Sequence, residues 1–559
     1  MSEAQPAGSD SPETPDAGVG PAEVIGVLGA GTMGAGIAQL ACRSGAITLL
    51  HDPIAEALER GVERVHDGLR REAARGRLSE QQAAEAADRL QPVEEMAAFA
   101  PCELVIEAVP ERLELKHELY SSLQEIVGGE CVLATNTSSL LVTAIASAVT
   151  DPGRVVGMHF FNPAPVMRLL EVVAGERSSP RALALAEATG EAMGKSVILA
   201  SDGPGFLVNR CNRPFGLEAL RLLQERLADI ETIDRICRME GGFPMGPFEL
   251  MDLVGVDTGF EVAKSFYAQS FGEPRWRPSP ITARYVAAGL HGRKSGRGYY
   301  DYSAAGTPHR EEDPPALAAE GGGEGIVVIA GDGVLSGDLA SAAEQAGYEV
   351  RAPGAPLGDA LPALFIDCAV EAEDSGATAS GSGRPLPSRG GAHMLLCARG
   401  SLASMDAGGS AVGFHVLGPF SEARLVELTR GPGSSPLAAQ RVERFFAALG
   451  KHVSWVGDAP GLVLGRIVCQ VINEAAFALG EGVGSAEDID LGMVLGLGHP
   501  RGPLQWADAI GLDHVLAVLE GLSGEYREER YRPAPALRRL VREQRLGRAS
   551  GGGFFDYSE

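Results

Sequence analysis

The sequence predicts an α/β domain followed by an all-α domain, with this two-domain unit present twice and degenerate in its second copy. Three observations carry that reading. Segments recur at a fixed offset: PGFLVNR (204–210) returns as PGLVLGR (460–466), and GFPMGPFELMDLVGVD (242–257) as GHPRGPLQWADAIGLD (498–513), both 256 residues on. The first part of each copy alternates short β-rich runs, such as VIGVLG, ITLLHD and RVVGMHFF, with helical stretches, the pattern of a parallel sheet with crossover helices. The second part, in stretches such as VNRCNRPFGLEALRLL and LGRIVCQVINEAAFAL, places apolar residues at helical spacing.

Taken in order, residues 1–22 are acidic and rich in Pro, Ser and Gly, the composition of a disordered tail. Residues 23–200 are expected to form the first α/β domain and 201–302 the first helical domain. The stretch 303–324 has a linker's composition, 325–456 is the degenerate α/β domain, and 457–559 is the second helical domain. The offset between the copies falls from 302 at Gly347 to 260 at Leu364, so the second copy lacks 42 residues, including most of the helical stretch 54–90.

Composition excludes some functions. A net charge of −26 repels nucleic-acid phosphates and anionic lipid surfaces. No apolar run approaches the length of about 18 residues that marks a membrane span, and the N-terminus has no leader pattern. The eight cysteines are scattered, with no C-x-x-C pair and no Cys/His cluster at zinc spacing. They read as free thiols in a reducing cytoplasm, with no metal site.

The first strand runs into Gly29-Ala30-Gly31-Thr32-Met33-Gly34 and then a helix. Gly29 allows the tight turn, Gly31 lets the backbone approach a pyrophosphate, Gly34 lets helix and strand pack, and the helix N-terminus at Thr32 and Met33 offers donors and a positive dipole. The next strand ends at Asp52, 18 residues after Gly34, where a carboxylate can take ribose hydroxyls and would repel a 2′-phosphate. A Rossmann-type NAD site follows; a glycine turn with a capping Asp is the plainer alternative.

Further along come VIEAVPERLELK (105–116), ATNTSSL (134–140) and GMHFFNPAPVMRLLEVV (157–173), and then PGFLVNR. On these motifs the sequence resembles the L-3-hydroxyacyl-CoA dehydrogenase family continuously over 23–302, in the long, duplicated form of the bacterial 3-hydroxybutyryl-CoA and 3-hydroxyadipyl-CoA enzymes of phenylacetate degradation. The resemblance implies NAD as cofactor, an acyl-CoA substrate, and oxidation of (S)-3-hydroxyacyl-CoA to 3-oxoacyl-CoA. It implies His159 as catalytic base with Glu171 as its partner, and Ser138 and Asn209 as contacts to substrate oxygens. Glu111, Lys116, Ser138 and Lys294 then join the glycine turn and Asp52 in the nucleotide site. The resemblance further implies that the helices over 54–90 help bind coenzyme A, and that helical domains pair, here within one chain.

Physical chemistry weighs each assignment. Alcohol oxidation by hydride transfer needs a base for the hydroxyl proton, and a neutral imidazole at the C-terminal end of a strand suits it; a structural His is the alternative. Glu171, twelve residues on, can accept the other ring N–H, or be a surface carboxylate. Ser138 and Asn209 can each donate to a substrate oxygen or cap a helix. Arg60, Arg64, Arg70, Arg71, Arg75 and Arg77 suit coenzyme A phosphates, or form a solvated face laced with i,i+4 pairs. Arg213, four residues after Asn209, can meet a distal carboxylate or form an ordinary salt bridge.

The second copy reads Gly331-Asp332-Gly333-Val334-Leu335-Ser336 at the glycine turn, Gly465 where the first has Asn209, and ARGS for NTSS. His415 and Glu427 keep the twelve-residue spacing and read as a relic, so His415→Ala is expected to leave turnover nearly intact. Two other readings stay open: a non-catalytic acyl-CoA or nucleotide-binding or structural protein of this fold, and a dehydrogenase of a free hydroxy acid.

Overall fold

The computed structural model describes residues 18–304, 309–357, 360–370 and 391–558. Most of the expected tail and part of the expected linker lie outside them. Contacts divide the chain into two compact units, Met1–Leu207 with Val483–Gly496, and Val208–Gly482 with Leu497–Glu559.

In the first unit, β1 (Val24–Leu28), β2 (Ile47–His51), β3 (Leu90–Val93), β4 (Leu104–Glu107), β5 (Val132–Thr135), β6 (Val155–Phe160), β7 (Leu169–Ala174) and β8 (Ser196–Ser201) form one sheet. Its spatial order is β3-β2-β1-β4-β5-β6-β7-β8. The inner strands are buried along nearly their whole length because helices cover both faces, which is why they read as continuous apolar runs. The core joins Ile25, Val27, Leu104, Ile106 and Val156 to Ile37, Leu40 and Ala41 of the helix Thr32–Ser44. One expectation is corrected. The sheet is not wholly parallel, since β7 runs antiparallel to β6. The connection 161–168 contains no helix, and a parallel return needs a crossover of about a dozen residues or more.

In the second unit, β9 (Ile326–Ala330), β10 (Glu349–Arg351), β11 (Leu364–Asp367), β12 (Ala392–Leu396), β13 (Val412–His415), β14 (Leu425–Arg430) and β15 (His452–Trp455) form a sheet in the order β10-β9-β11-β12-β13-β14-β15. This is the first sheet's order without a β3, and β13 and β14 repeat the antiparallel pair. From β10 the chain reaches β11 with no intervening helix among the described residues, where the first copy has the helices Ala55–Ala74 and Glu80–Asp88.

The helical parts of both copies meet in the second unit, where the helix Val208–Gln224 packs along Leu464–Gly480. Arg210 donates to Glu474 (2.9 Å) and Arg466 to Glu218 (2.8 Å), all four side chains buried. The YYDY and FFDY endings share one function. Asp252 accepts the Tyr299 and Tyr300 backbone N–H groups (both 2.9 Å), as Asp508 accepts those of Phe554 and Phe555 (2.9 and 3.0 Å). This motif closes each helical domain and is kept in both copies for the fold. Helix Ile230–Met239 of the first copy packs against β14 of the second. Residues 483–496 of the second copy belong to the first unit, where Val483 accepts the Ser201 N–H (2.8 Å).

Candidate active site

The glycine turn of the first copy separates what the fold needs from what it leaves free. Gly29 has φ +102°, and a Cβ at Gly34 would overlap the Gly29 carbonyl oxygen, so both glycines serve local geometry. Gly31 has an ordinary φ of −66°, and a Cβ there would meet nothing within 4 Å. Its missing side chain answers no neighbour in the protein and leaves space over the start of the helix Thr32–Ser44, whose N-cap offers no side-chain hydrogen bond. This is the cradle a pyrophosphate fits. Asp52 follows β2 and accepts the Ala30 N–H (2.9 Å) and the Ile54 N–H (3.0 Å), fixing the turn to the end of the second strand. Each of its oxygens retains a second lone pair for a ribose hydroxyl.

Strands β6 and β7 place His159 directly opposite Glu171. Nδ1–H of His159 donates to Glu171 Oε2 at 2.6 Å, and Glu171 is fully buried. The other carboxylate oxygen accepts the Leu207 N–H (3.2 Å). Fixed in this way, the imidazole carries its lone pair on Nε2. The rings of Phe161 and Phe206 flank it, with centroids 4.6 and 5.8 Å away. Phe206 reaches that place with a positive φ of +51°.

Ser138 lies in the loop after β5 and caps no helix. Its N–H donates to Glu111 Oε1 (2.7 Å) and its hydroxyl lies 3.4 Å from the same oxygen. Thr137 donates to both Glu111 oxygens (3.0 and 2.8 Å). Lys116 is fully buried, with Glu107 oxygens at 2.8 Å and Glu111 at 3.5 Å. Its ammonium faces no solvent, so within the expected nucleotide site it acts on Glu111. Sequence reasoning missed Asn136, whose Oδ1 accepts the Phe160 N–H (2.8 Å) and fixes the strand end that carries His159. Its place one residue past β5 was the available signal.

Four of the six arginines singled out, Arg64, Arg71, Arg75 and Arg77, line a cavity of about 300 Å³ together with Thr32 and Pro163–Val166. Among the described residues none of these four is in an ion pair, whereas Arg70 pairs with Asp67.

In the second unit, Asn209 is half-buried in the first turn of the helix Val208–Gln224. Lys294 is about half exposed and pairs with Asp257 (2.6 Å), whose carboxyl it holds below the usual range. The relic dyad has come apart although His415 and Glu427 still oppose each other across β13 and β14. Glu427 accepts the Val463 and Leu464 N–H groups (both 2.8 Å), while His415 Nε2 meets Nε2 of His514 at 3.1 Å. The His415 ring fills the space over Gly465, where any Cβ would overlap it. Burial and His514 push His415 well below its ordinary value, and burial pushes His514 down to about 4. Glu240, His415 and Glu427 bring ligand-type atoms within 4.8 Å of one another and are the described residues able to hold a metal. Burial pushes Glu427 up to about 8 and Glu240 well above the carboxylate range, so protons can meet the charge of this pair.

Residues 24–203 match the family described as 3-hydroxyacyl-CoA dehydrogenase, NAD binding domain. Residues 205–302 and again 461–557 match 3-hydroxyacyl-CoA dehydrogenase, C-terminal domain. The chain is 35% identical over 521 residues to the 3-hydroxyadipyl-CoA dehydrogenase of Escherichia coli (strain K12), covering 92% of this chain and 97% of that one. It is 35% identical over 287 residues to the human mitochondrial hydroxyacyl-coenzyme A dehydrogenase, covering 50% of this chain and 90% of that one. The crystal structure of 3-hydroxybutyryl-CoA dehydrogenase from E. coli K12 superposes with a TM-score of 0.76 at 34% identity, covering 94% of this chain and 99% of that one. Among the described residues no helix is long and apolar enough to cross a membrane.

Proposed function

The chain belongs to the 3-hydroxyacyl-CoA dehydrogenase family, NAD-dependent oxidoreductases of 3-hydroxyacyl-CoA thioesters, and on that premise we propose that His159 and Glu171 form its catalytic pair. The observation that carries this is the 2.6 Å contact between His159 Nδ1 and a fully buried Glu171, which leaves Nε2 as the only basic nitrogen of the ring. As C3 of the substrate gives up its hydride, Nε2 takes the hydroxyl proton, and Glu171 stabilises the imidazolium that results. NAD, bound over the glycine turn with its ribose at Asp52, supplies the hydride acceptor. Ser138 donates to the oxygen that becomes the 3-oxo group, and Asn209 to the thioester oxygen. Glu111, buttressed by Thr137 and Lys116, holds Ser138 and faces the nucleotide.

Arg64, Arg71, Arg75 and Arg77 hold the coenzyme A phosphates, which suits four unpaired guanidiniums around one cavity. The acyl group is short, of the butyryl or adipyl kind named for the relatives above, and the protein acts in the cytoplasm. The second copy turns over no substrate. The test is the loss of NADH absorbance with acetoacetyl-CoA, with NADPH as control. Oxidation of NADH alone is expected; no oxidation with this or a longer 3-oxoacyl-CoA would overturn the reading.

A further inference from the structure

Two side chains of ligand type stand at the degenerate site in addition to its old dyad. At the offset of 256 the counterpart of Glu240 is Gly496 and that of His514 is Thr258, so the cluster of Glu240, His415, Glu427 and His514 copies nothing in the active site. All four are buried. Glu427 accepts the Val463 and Leu464 N–H groups, one on each oxygen, and Glu240 Oε1 accepts the Leu417 N–H (3.1 Å). Two atoms remain: Glu240 Oε2 and His415 Nδ1 are buried and have no hydrogen-bond partner among the described residues. Neither carboxylate has a lysine or arginine acting on it there.

The setting of His415 identifies what fits between these atoms. His415 opposes Glu427 across β13 and β14, and its Nε2 meets Nε2 of His514 at 3.1 Å. With Nε2–H donated to His514, the lone pair of His415 rests on Nδ1, and a metal-bound imidazole has just such an outer partner for its second ring N–H. Glu240, His415 and Glu427 each bring one ligand-type atom within 4.8 Å of the others. That span admits the roughly 3.4 Å between two donors held about 2.1 Å from one tetrahedral ion. Two carboxylates balance a divalent charge, and the imidazole selects a transition metal over magnesium or calcium. We propose that Glu240, Glu427 and Nδ1 of His415 bind one divalent transition-metal ion of the zinc type, which ties the C-terminal end of the helix Ile230–Met239 in the first copy to β13 and β14 of the second. Its role is structural, because its ligands are sealed from solvent. In the metal-free protein protons meet the charge of the two carboxyls instead, and the ion displaces them.

The test uses the full chain, stripped with a chelator, offered zinc chloride, dialysed and counted for metal by plasma mass spectrometry. The wild type should keep about one zinc per chain, and Glu240→Gln and His415→Ala should each keep less than about a tenth of that. Zinc should raise the melting temperature of the wild type and leave that of both variants unchanged. NADH oxidation with acetoacetyl-CoA should stay near the wild-type rate in both, which shows that they fold. Cobalt(II) in place of zinc should give visible absorption without a near-ultraviolet thiolate band, which separates this site from metal held by the cysteines. A wild type that keeps no zinc and melts alike with and without it would overturn the inference, and so would zinc retained in full by both variants or a cobalt–thiolate band. None of these results bears on the dehydrogenase reading.

Discussion

At the residue scale, the chemistry turns on one hydrogen bond. Glu171 accepts from Nδ1 of His159 on one oxygen and from the Leu207 N–H on the other, so it is anchored at both ends and sets the tautomer. Glu171→Gln substitutes a group that can donate to Nδ1 and so move the ring proton to Nε2, where it blocks the base. Turnover of 3-hydroxybutyryl-CoA should fall by about 10²–10⁴-fold in kcat, with no recovery at high pH, because the defect is a wrong tautomer and not an unsatisfied titration. A pH profile of kcat for wild type and variant checks this. The dyad was legible in the sequence through the resemblance carried by GMHFFNPAPVMRLLEVV, and the antiparallel pairing of β6 with β7, which no sequence pattern announced, is what brings the two residues face to face. Lys116 was legible by position but not by environment. No sequence pattern tells that its ammonium is sealed beneath Glu107 and Glu111, since burial depends on which helix covers the end of β4.

At the element scale, the two glycine turns show which features serve the fold and which serve the ligand. Gly29 and Gly331 both keep a strongly positive φ, +102° and +112°, so the sharp turn survives in the degenerate copy. Ser336 replaces Gly34 and donates to the Gly333 carbonyl (2.7 Å), so the second turn holds a side chain where one at Gly34 would overlap the Gly29 carbonyl oxygen. Gly31 should therefore behave unlike Gly34. Gly31→Ala meets no neighbour and should leave the melting temperature of the ligand-free protein at its wild-type value while weakening NADH binding at least tenfold, because the new methyl occupies the pyrophosphate's space. Gly34→Ala should lower stability even without nucleotide, by about 1–3 kcal/mol. Thermal melts and NADH fluorescence titrations separate the two. The alternation of strands with helices and the two-copy plan were readable from pattern and offset, whereas the strand order and the reversed β7 were not, since β-rich composition says nothing of neighbours or direction.

At the scale of the whole molecule, the degenerate copy is tied to the active one through buried charge. In the second unit Glu240 and Glu427 are pushed up, Glu427 to about 8, and burial also pushes Asp234 to about 7. The groups facing the carboxyl pair are His415, His514 and Cys237, and none supplies a cation, since burial holds both histidines neutral. Folded carboxyls that bind protons more tightly than unfolded ones make stability greatest below the unfolded value of 4.5 and erode it as pH rises to about 8. The denaturant midpoint of the second unit should thus fall between pH 6 and pH 8, and Glu240→Gln should flatten that slope.

The helical pairing carries a further consequence. Arg210 with Glu474 and Arg466 with Glu218 are one interaction written twice, because Arg466 stands 256 residues after Arg210 and Glu474 the same distance after Glu218. The interface is a pseudo-two-fold contact of the kind an isologous dimer makes, closed within one chain. Residues 483–496 also come from the second copy, with Gly484 lying against Leu207, whose N–H holds Glu171. A chain cut to residues 1–302 loses both supports and keeps their counterparts, Arg210, Glu218 and the helix Ile230–Met239. Two such fragments can restore every pair by meeting face to face. Light scattering on the fragment should give the mass of a dimer, and Glu218→Ala in the fragment should weaken that dimer by removing the buried one of the two carboxylates that each guanidinium meets, the other being Glu225, at a cost of about 1–3 kcal/mol per pair. A stable monomer with full activity would mean that the active copy needs no helical partner, and that the second copy is kept for some other reason.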